Sequence, residues 1–200
     1  MINDLTFSLP YVKYVDDVSA CSVSHNVLDN SLQEAVDDLL SWCKHNSMVL
    51  NPLKTKEMVI HFSRRHTTSD APLIVVDNRH IERVKSFKLL GVFLSSDLSW
   101  SKHVNYIVSK ASKRMFVIFQ LIKSGVQLAD IVVVYCSIIR STLEYACPVW
   151  HCGLSKAQAD DIESLQRRCM RALLPDISYD EAFVIFGLER LDVRRERIVR

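Results

Sequence analysis

Glycine and proline are scarce in this chain of 200 residues, four and five respectively, so there is little material for long flexible linkers. Neither a low-complexity tract nor an internal repeat is present. The six cysteines, Cys21, Cys43, Cys136, Cys147, Cys152 and Cys169, contain no Cys-x-x-Cys pair, and no second ligand pair follows Cys147-Pro148-Val149-Trp150-His151-Cys152, which argues against a zinc module. With no targeting pattern at the start, the expectation is reduced thiols in an intracellular protein. Long apolar runs are missing as well. The most apolar, Ile131 to Ile139, is bracketed by Asp130 and Arg140, falls short of the ~20 residues of a membrane span and reads as a core helix. A net charge of +2 and a pI near 8.2 give no overall field for nucleic acid, so any basic surface must be local. What the chain does have is 48% hydrophobic residues, enough for the core of one domain, or of one medium domain with a helical appendage.

The most informative stretch is Tyr11-Val12-Lys13-Tyr14-Val15-Asp16-Asp17-Val18-Ser19-Ala20. Val12, Tyr14, Val15 and Val18 favour extended chain on both sides of the two acids, which predicts strand, tight turn, strand. Adjacent carboxylates on a hairpin tip suit a hard cation such as Mg²⁺, because only a turn lets two neighbouring side chains approach one ion. Two other such pairs, Asp37-Asp38 and Asp160-Asp161, lie inside helical patterns and read as solvated faces. The β-rich apolar setting separates Asp16-Asp17 from them. On the residues alone, a metal-binding pair and a solvated turn both stand open.

Downstream, Ser31 and Glu34 predict a capping box, after which Leu32, Ala35, Val36, Leu39, Leu40 and Cys43 recur at helical spacing. A turn at Asn51-Pro52 leads into Lys54-Thr55-Lys56, and Met58, Ile60 and Phe62 alternate with Glu57, Val59 and His61 as a half-buried strand. Arg64, Arg65 and His66 fall in an exposed loop. Leu73 to Val76, a turn at Asp77-Asn78 and Ile81 to Val84 predict a second hairpin, followed by a strand over Phe87 to Leu94. Gly91 permits either close approach of another backbone or a bulge.

From Trp100 the period changes from two to 3.6. Val104, Ile107, Val108, Ala111, Met115, Ile118 and Ile122 form one stripe, with Lys110, Lys113 and Arg114 expected on the opposite side, and no acid occurs between Asp97 and Asp130. That face is a candidate phosphate-tracking surface or simply a solvated one. A second helix is expected over about Leu128 to Tyr145. A third, capped by Ser155, should turn Ile162, Leu165, Cys169 and Leu173 inward and leave Gln166, Arg167, Arg168 and Arg171 outside. In the helical tail, Phe183, Phe186, Leu188 and Leu191 should pack, with Arg194, Arg195, Arg197 and Arg200 clustered at its end.

Tyr14-Val15-Asp16-Asp17 resembles the Tyr-x-Asp-Asp box of reverse transcriptases, and its surroundings resemble the non-LTR (LINE-type) retrotransposon branch. Ile2-Asn3-Asp4-Leu5 is similar to the segment preceding the box. Leu50-Asn51-Pro52-Leu53-Lys54-Thr55-Lys56, Phe87-Lys88-Leu89-Leu90-Gly91-Val92, Leu98-Ser99-Trp100-Ser101-Lys102-His103 and Leu143-Glu144-Tyr145-Ala146-Cys147-Pro148-Val149-Trp150 match in order.

The resemblance implies an α+β fold: a partial polymerase palm of antiparallel hairpins with a packed helix over residues 1–98, a thumb-like helical bundle over 99–175 and a helical connection over 176–200, expected to be truncated. It implies RNA-directed DNA polymerisation, in which a primer hydroxyl attacks a deoxynucleotide α-phosphate with two Mg²⁺ ions, on an RNA template and DNA primer, with no membrane involved. Asp16 and Asp17 would be the catalytic metal ligands, Lys54 or Lys56 would act near the triphosphate, and Tyr14 would lie beside the primer terminus. Leu90 and Gly91 of the primer-grip-like segment, with Lys110, Lys113 and Arg114, would contact nucleic acid. The family also uses an earlier aspartate and a Gly-rich segment, which do not precede Ile2, so the chain as given is expected to be inactive in primer extension. A nucleic-acid-binding or interaction module derived from a retroelement, without chemistry, is the alternative. No His-x-Asp motif exists to hold Fe(II), which argues against a dioxygenase.

Overall fold

The computed structural model describes residues 4–23, 29–62 and 72–200. Ile2-Asn3 and the expected loop with Arg64, Arg65 and His66 lie outside them. The chain forms two compact units, residues 1–87 with 96–98, and residues 88–95 with 99–200.

In the first unit, β1 (Tyr11–Tyr14) and β2 (Asp17–Ala20) pair antiparallel, with Tyr14 opposite Asp17 and Lys13 opposite Val18. Because side chains alternate, Tyr11 and Lys13 share the half-buried face, where the Tyr11 ring meets Phe7 edge-on at 5.0 Å and Lys13 Nζ donates to Leu5 O at 2.8 Å. Helix α1 (Ser31–His45) follows. Its expected capping box is absent: Ser31 is the first helical residue, the Glu34 N–H that its hydroxyl would have capped donates to Asn30 O at 3.0 Å, and the Ser31 N–H donates to the Asp29 carboxylate at 2.9 Å. Gln33 on α1 accepts from Val75 N–H at 2.8 Å and donates to Val75 O at 3.0 Å, so one side-chain amide completes a strand edge.

The predicted strand to Phe62 shrinks to β3 (Lys56–Glu57), which runs parallel to β6 (Glu82–Arg83). Its alternation is lost, since Met58 to His61 are all half-buried, Phe62 is exposed and Glu57 is buried. Arg83 is the reason: its guanidinium donates to both Glu57 oxygens, at 2.9 and 3.1 Å, and a bidentate pair permits the carboxylate to be buried. The turn at Asp77-Asn78 is present, both residues with positive φ, but the return strand is β5 (Arg79–His80), paired with β4 (Val75–Val76), not Ile81 to Val84. The predicted strand Phe87 to Leu94 is instead a hairpin, β7 (Ser86–Leu89) and β8 (Val92–Ser95), turning at Leu90-Gly91. Positive φ at both turn residues reverses the chain there.

The second unit is helical. Helix α2 (Ser101–Lys123) buries Val104, Ile107, Ala111, Met115 and Ile118 against two partners. One is a continuous run made of α3 (Leu128–Val134), a π-helical stretch (Tyr135–Arg140) and α4 (Ser141–Glu144). The other is α6 (Lys156–Leu173). The run stops at Ala146, whose φ of 52° is left-handed, and resumes as the short α5 (Cys147–Trp150). By length and composition Leu128–Gly153 is apolar enough to cross a membrane. Its stripe Ile131, Tyr135, Ile139 and Leu143 is completely buried in the helical core. The capping box at Ser155 is present, with Gln158.

Gln166 is buried, not solvent-facing: it accepts from Tyr135 Oη at 2.6 Å and donates to Tyr179 Oη and Glu189 O. Glu163, also buried, takes the Tyr179 hydroxyl and the N–H of Leu191. These bonds fasten α7 (Tyr179–Phe186) and α8 (Leu191–Val199), which a left-handed Gly187 separates. The arginines at the end do not form one exposed cluster. Arg195 is wholly buried over the Trp150 ring with Nε donating to His151 Nδ1, and Arg194 pairs with Glu144 at 3.1 Å.

Candidate nucleic-acid interface

The carboxylate hairpin belongs to the first unit. Its turn residues are Val15 and Asp16, and Asp17 opens β2, so Asp16 lies in the bend, Asp17 directly follows it, and both are exposed. Val15 has φ 56°, a left-handed conformation that crowds a β-branched side chain, so this turn stores strain beside the acids. Tyr14, 59% exposed, shares a face with Asp17 through their direct pairing.

Lys54 is exposed in the turn closed by Asn51. Lys56 is bound to Glu82 at 2.5 Å. Among the described residues no hydrogen bond or ion pair joins Lys54 or Lys56 to the acids, and no three His, Cys, Asp or Glu side chains could hold one ion. Two carboxylates supply part of the six-oxygen shell of Mg²⁺, so the described residues do not by themselves fit a two-ion cage.

The second unit brings other expected residues together. A groove of about 370 Å³ is lined by Lys88, Gly91, Tyr106, Ile107, Lys110, Ser141, Thr142 and Tyr145. Tyr145 Oη donates to Leu90 O at 2.9 Å, and a Cβ on Gly91 would lie 3.0 Å from the Tyr145 ring, so close approach explains the glycine. Lys88 Nζ donates to Tyr106 Oη at 2.8 Å, and Lys110 Nζ lies 5.8 Å from the same ring. The Lys88 hydrogen bond, reinforced by the charge of Lys110, lowers the Tyr106 phenol below its ordinary pKa. Lys113 is exposed on α2 and does not line the groove. Arg114 is a correction: it turns inward, donating to Ile138 O at 2.6 Å and to Thr142 Oγ1, two acceptors on the neighbouring helical run that meet its guanidinium.

Lys88, Tyr106 and Tyr145 escaped the sequence reading as groove residues. Tyr106 and Lys110 stand four apart on one helix, and that spacing was the available signal. Another miss is His103, buried between the Trp100 and Trp150 rings, whose Nδ1 accepts from Phe93 N–H at 3.3 Å.

Over 164 residues the chain is 26% identical to the probable RNA-directed DNA polymerase from transposon BS of Drosophila melanogaster, covering 80% of this chain and 18% of that protein. It is 25% identical over 164 residues to the RNA-directed DNA polymerase from mobile element jockey of the same species, covering 80% and 17%. The chain is similar to transposon polymerases. This similarity supports a reverse-transcriptase-like origin. The chain spans less than a fifth of the length of either relative. No protein-family model matches it, and no solved structure does.

Proposed function

We propose that this chain is the C-terminal palm and the thumb of a transposon RNA-directed DNA polymerase. The observation that carries the reading is the exposed Asp16-Asp17 hairpin in a chain similar to such polymerases over four-fifths of its length. In this reading Asp16 and Asp17 contribute oxygen ligands to Mg²⁺, which would supply Lewis-acid activation of phosphoryl transfer to the primer from a deoxynucleotide. Tyr14 borders the primer terminus, and the Leu90-Gly91 turn, Lys110 and Lys113 track the primer–template.

With two carboxylates in place of a full ligand set, the 200-residue chain alone should bind cations at millimolar concentration and should not extend a primer. The test uses Mn²⁺ as a paramagnetic probe together with a primer-extension assay. Broadening should centre on residues 11–20 and vanish in the double variant Asp16→Asn, Asp17→Asn. Broadening no greater there than at Asp37-Asp38 would overturn the ligand assignment. Incorporation that disappears on Asp16→Asn would instead overturn the predicted inactivity.

A second reading, a nucleic-acid-binding module without chemistry, is favoured by the acid-free stretch from Asp97 to Asp130 and the lysines it presents. It predicts duplex binding that weakens steeply with salt and is indifferent to both the cation and Asp16→Asn.

A further inference from the structure

The groove of the second unit holds an imbalance of charge. Lys88 and Lys110 are exposed, and neither meets a carboxylate among the described residues. The remaining lining is hydroxyl-bearing or apolar, with no acid. The lysines are held in place by rings: Lys88 Nζ lies 4.4 Å from the Tyr106 centroid and 5.7 Å from that of Phe93, and the two rings pack edge-on at 5.1 Å. This is a preorganised pair of cations around one phenol, the arrangement that anion recognition requires.

We propose that this groove binds a phosphomonoester dianion, with Lys88 and Lys110 as its two counter-charges and Tyr106 as a hydrogen-bond donor between them. Charge selects the class: a phosphomonoester carries about −1.5 to −2 at neutral pH, matching two ammonium groups, whereas a phosphodiester carries a single charge. Lys88 spends one of its three N–H donors on Tyr106 and keeps two. The Thr142 hydroxyl is already committed, accepting from Arg114 and donating to Ile138 O at 2.9 Å, so it forms wall and not donor. The lowered phenol pKa fits the same field, since a site that stabilises phenolate stabilises other oxyanions. Two sources share this chemistry, a free nucleoside monophosphate and the 5′-phosphate at the end of a strand. The inference shares Gly91 and Lys110 with the polymerase reading but none of the Asp16-Asp17 hairpin, so loss of the cation assignment there would leave it standing.

The test titrates the whole chain by calorimetry with three probes: adenosine 5′-monophosphate, a 5′-phosphorylated octanucleotide, and the same octanucleotide with a 5′-hydroxyl. The 5′-phosphorylated strand should bind about tenfold tighter than its 5′-hydroxyl counterpart. Lys88→Met and Lys110→Met should each cost about tenfold, while Lys156→Met, at an exposed lysine outside the groove, should cost little. Binding should weaken below about pH 6, as the phosphate takes up its second proton. Adenosine monophosphate binding as tightly as the strand would assign the free-nucleotide source, and strand binding alone the terminal one. Equal affinity for the two octanucleotides, or equal losses at Lys88, Lys110 and Lys156, would overturn the proposal. Should Lys88→Met fail to fold, Tyr106→Phe and Lys110→Met carry the test, with Lys88→Arg expected to retain binding.

Discussion

The two units differ most in how they exclude water. Among the described residues, the second gathers twenty buried side chains into one cluster, whereas the first buries Leu5, Ala35, Cys43, Val76 and Ile81 and leaves Val12, Val15, Val49, Leu53 and Phe62 exposed. The helical unit owes its shape to a continuous apolar interior. The first unit, whose sheets have two strands each, relies on local devices: the Gln33 amide on a strand edge, the Arg83–Glu57 pair and hairpin turns. Two-stranded ribbons are marginal in isolation, so polar bonds and turn geometry have correspondingly more influence there.

Hydrogen exchange offers the widest separation. Core amides of α2 and α6 should be protected by orders of magnitude more than those of β1 and β2, and equal protection would break the contrast. Next comes Trp150→Ala, which empties a fully buried site and should cost about 3–5 kcal/mol in denaturant unfolding of the helical unit. Gly91→Ala, placing a methyl against Tyr145 at positive φ, should cost about 1–2 kcal/mol. Val15→Gly should act in the opposite direction, raising the stability of the first unit by about 1 kcal/mol by relieving the turn.

The smallest effect expected is on pH dependence. Burial lowers the pKa of His103, and burial followed by the Arg195 charge lowers that of His151. Above the ordinary histidine value of 6.5 both folded and unfolded chains are neutral at these rings, and neither contributes. As pH falls below it, the unfolded chain takes up protons first, so helical stability declines until the lowered folded values are passed. His103→Asn, which keeps an acceptor for Phe93, should flatten that slope in thermal melts.

The contrast between the units also decides how much the sequence revealed. The α2 stripe and the inward residues of α6 were legible because a helix buried on one face writes its period into the chain. The Tyr14-to-Asp17 hairpin and the Asp77-Asn78 turn were legible through β-formers and turn residues. Glu57, Gln166, Arg195 and Arg114 were misread for one reason. Each is a polar residue that the sequence assigns to water, and each is drawn inward by a partner far along the chain. The groove was half visible: Leu90, Gly91 and Lys110 could be named, but their meeting with Lys88, Tyr106 and Tyr145 depends on helix packing that no local pattern encodes.

The π-helical stretch Tyr135–Arg140 keeps the residues beyond it in phase with the groove. Such a wide turn absorbs one residue more than regular winding needs for nearly the same rotation. Removing one residue there would therefore leave Thr142 on Arg114 and the Tyr145 hydroxyl on Leu90. Removing one from Ser141–Glu144, where the winding is regular, would instead turn Tyr145 by about 100° and take away the groove's far wall.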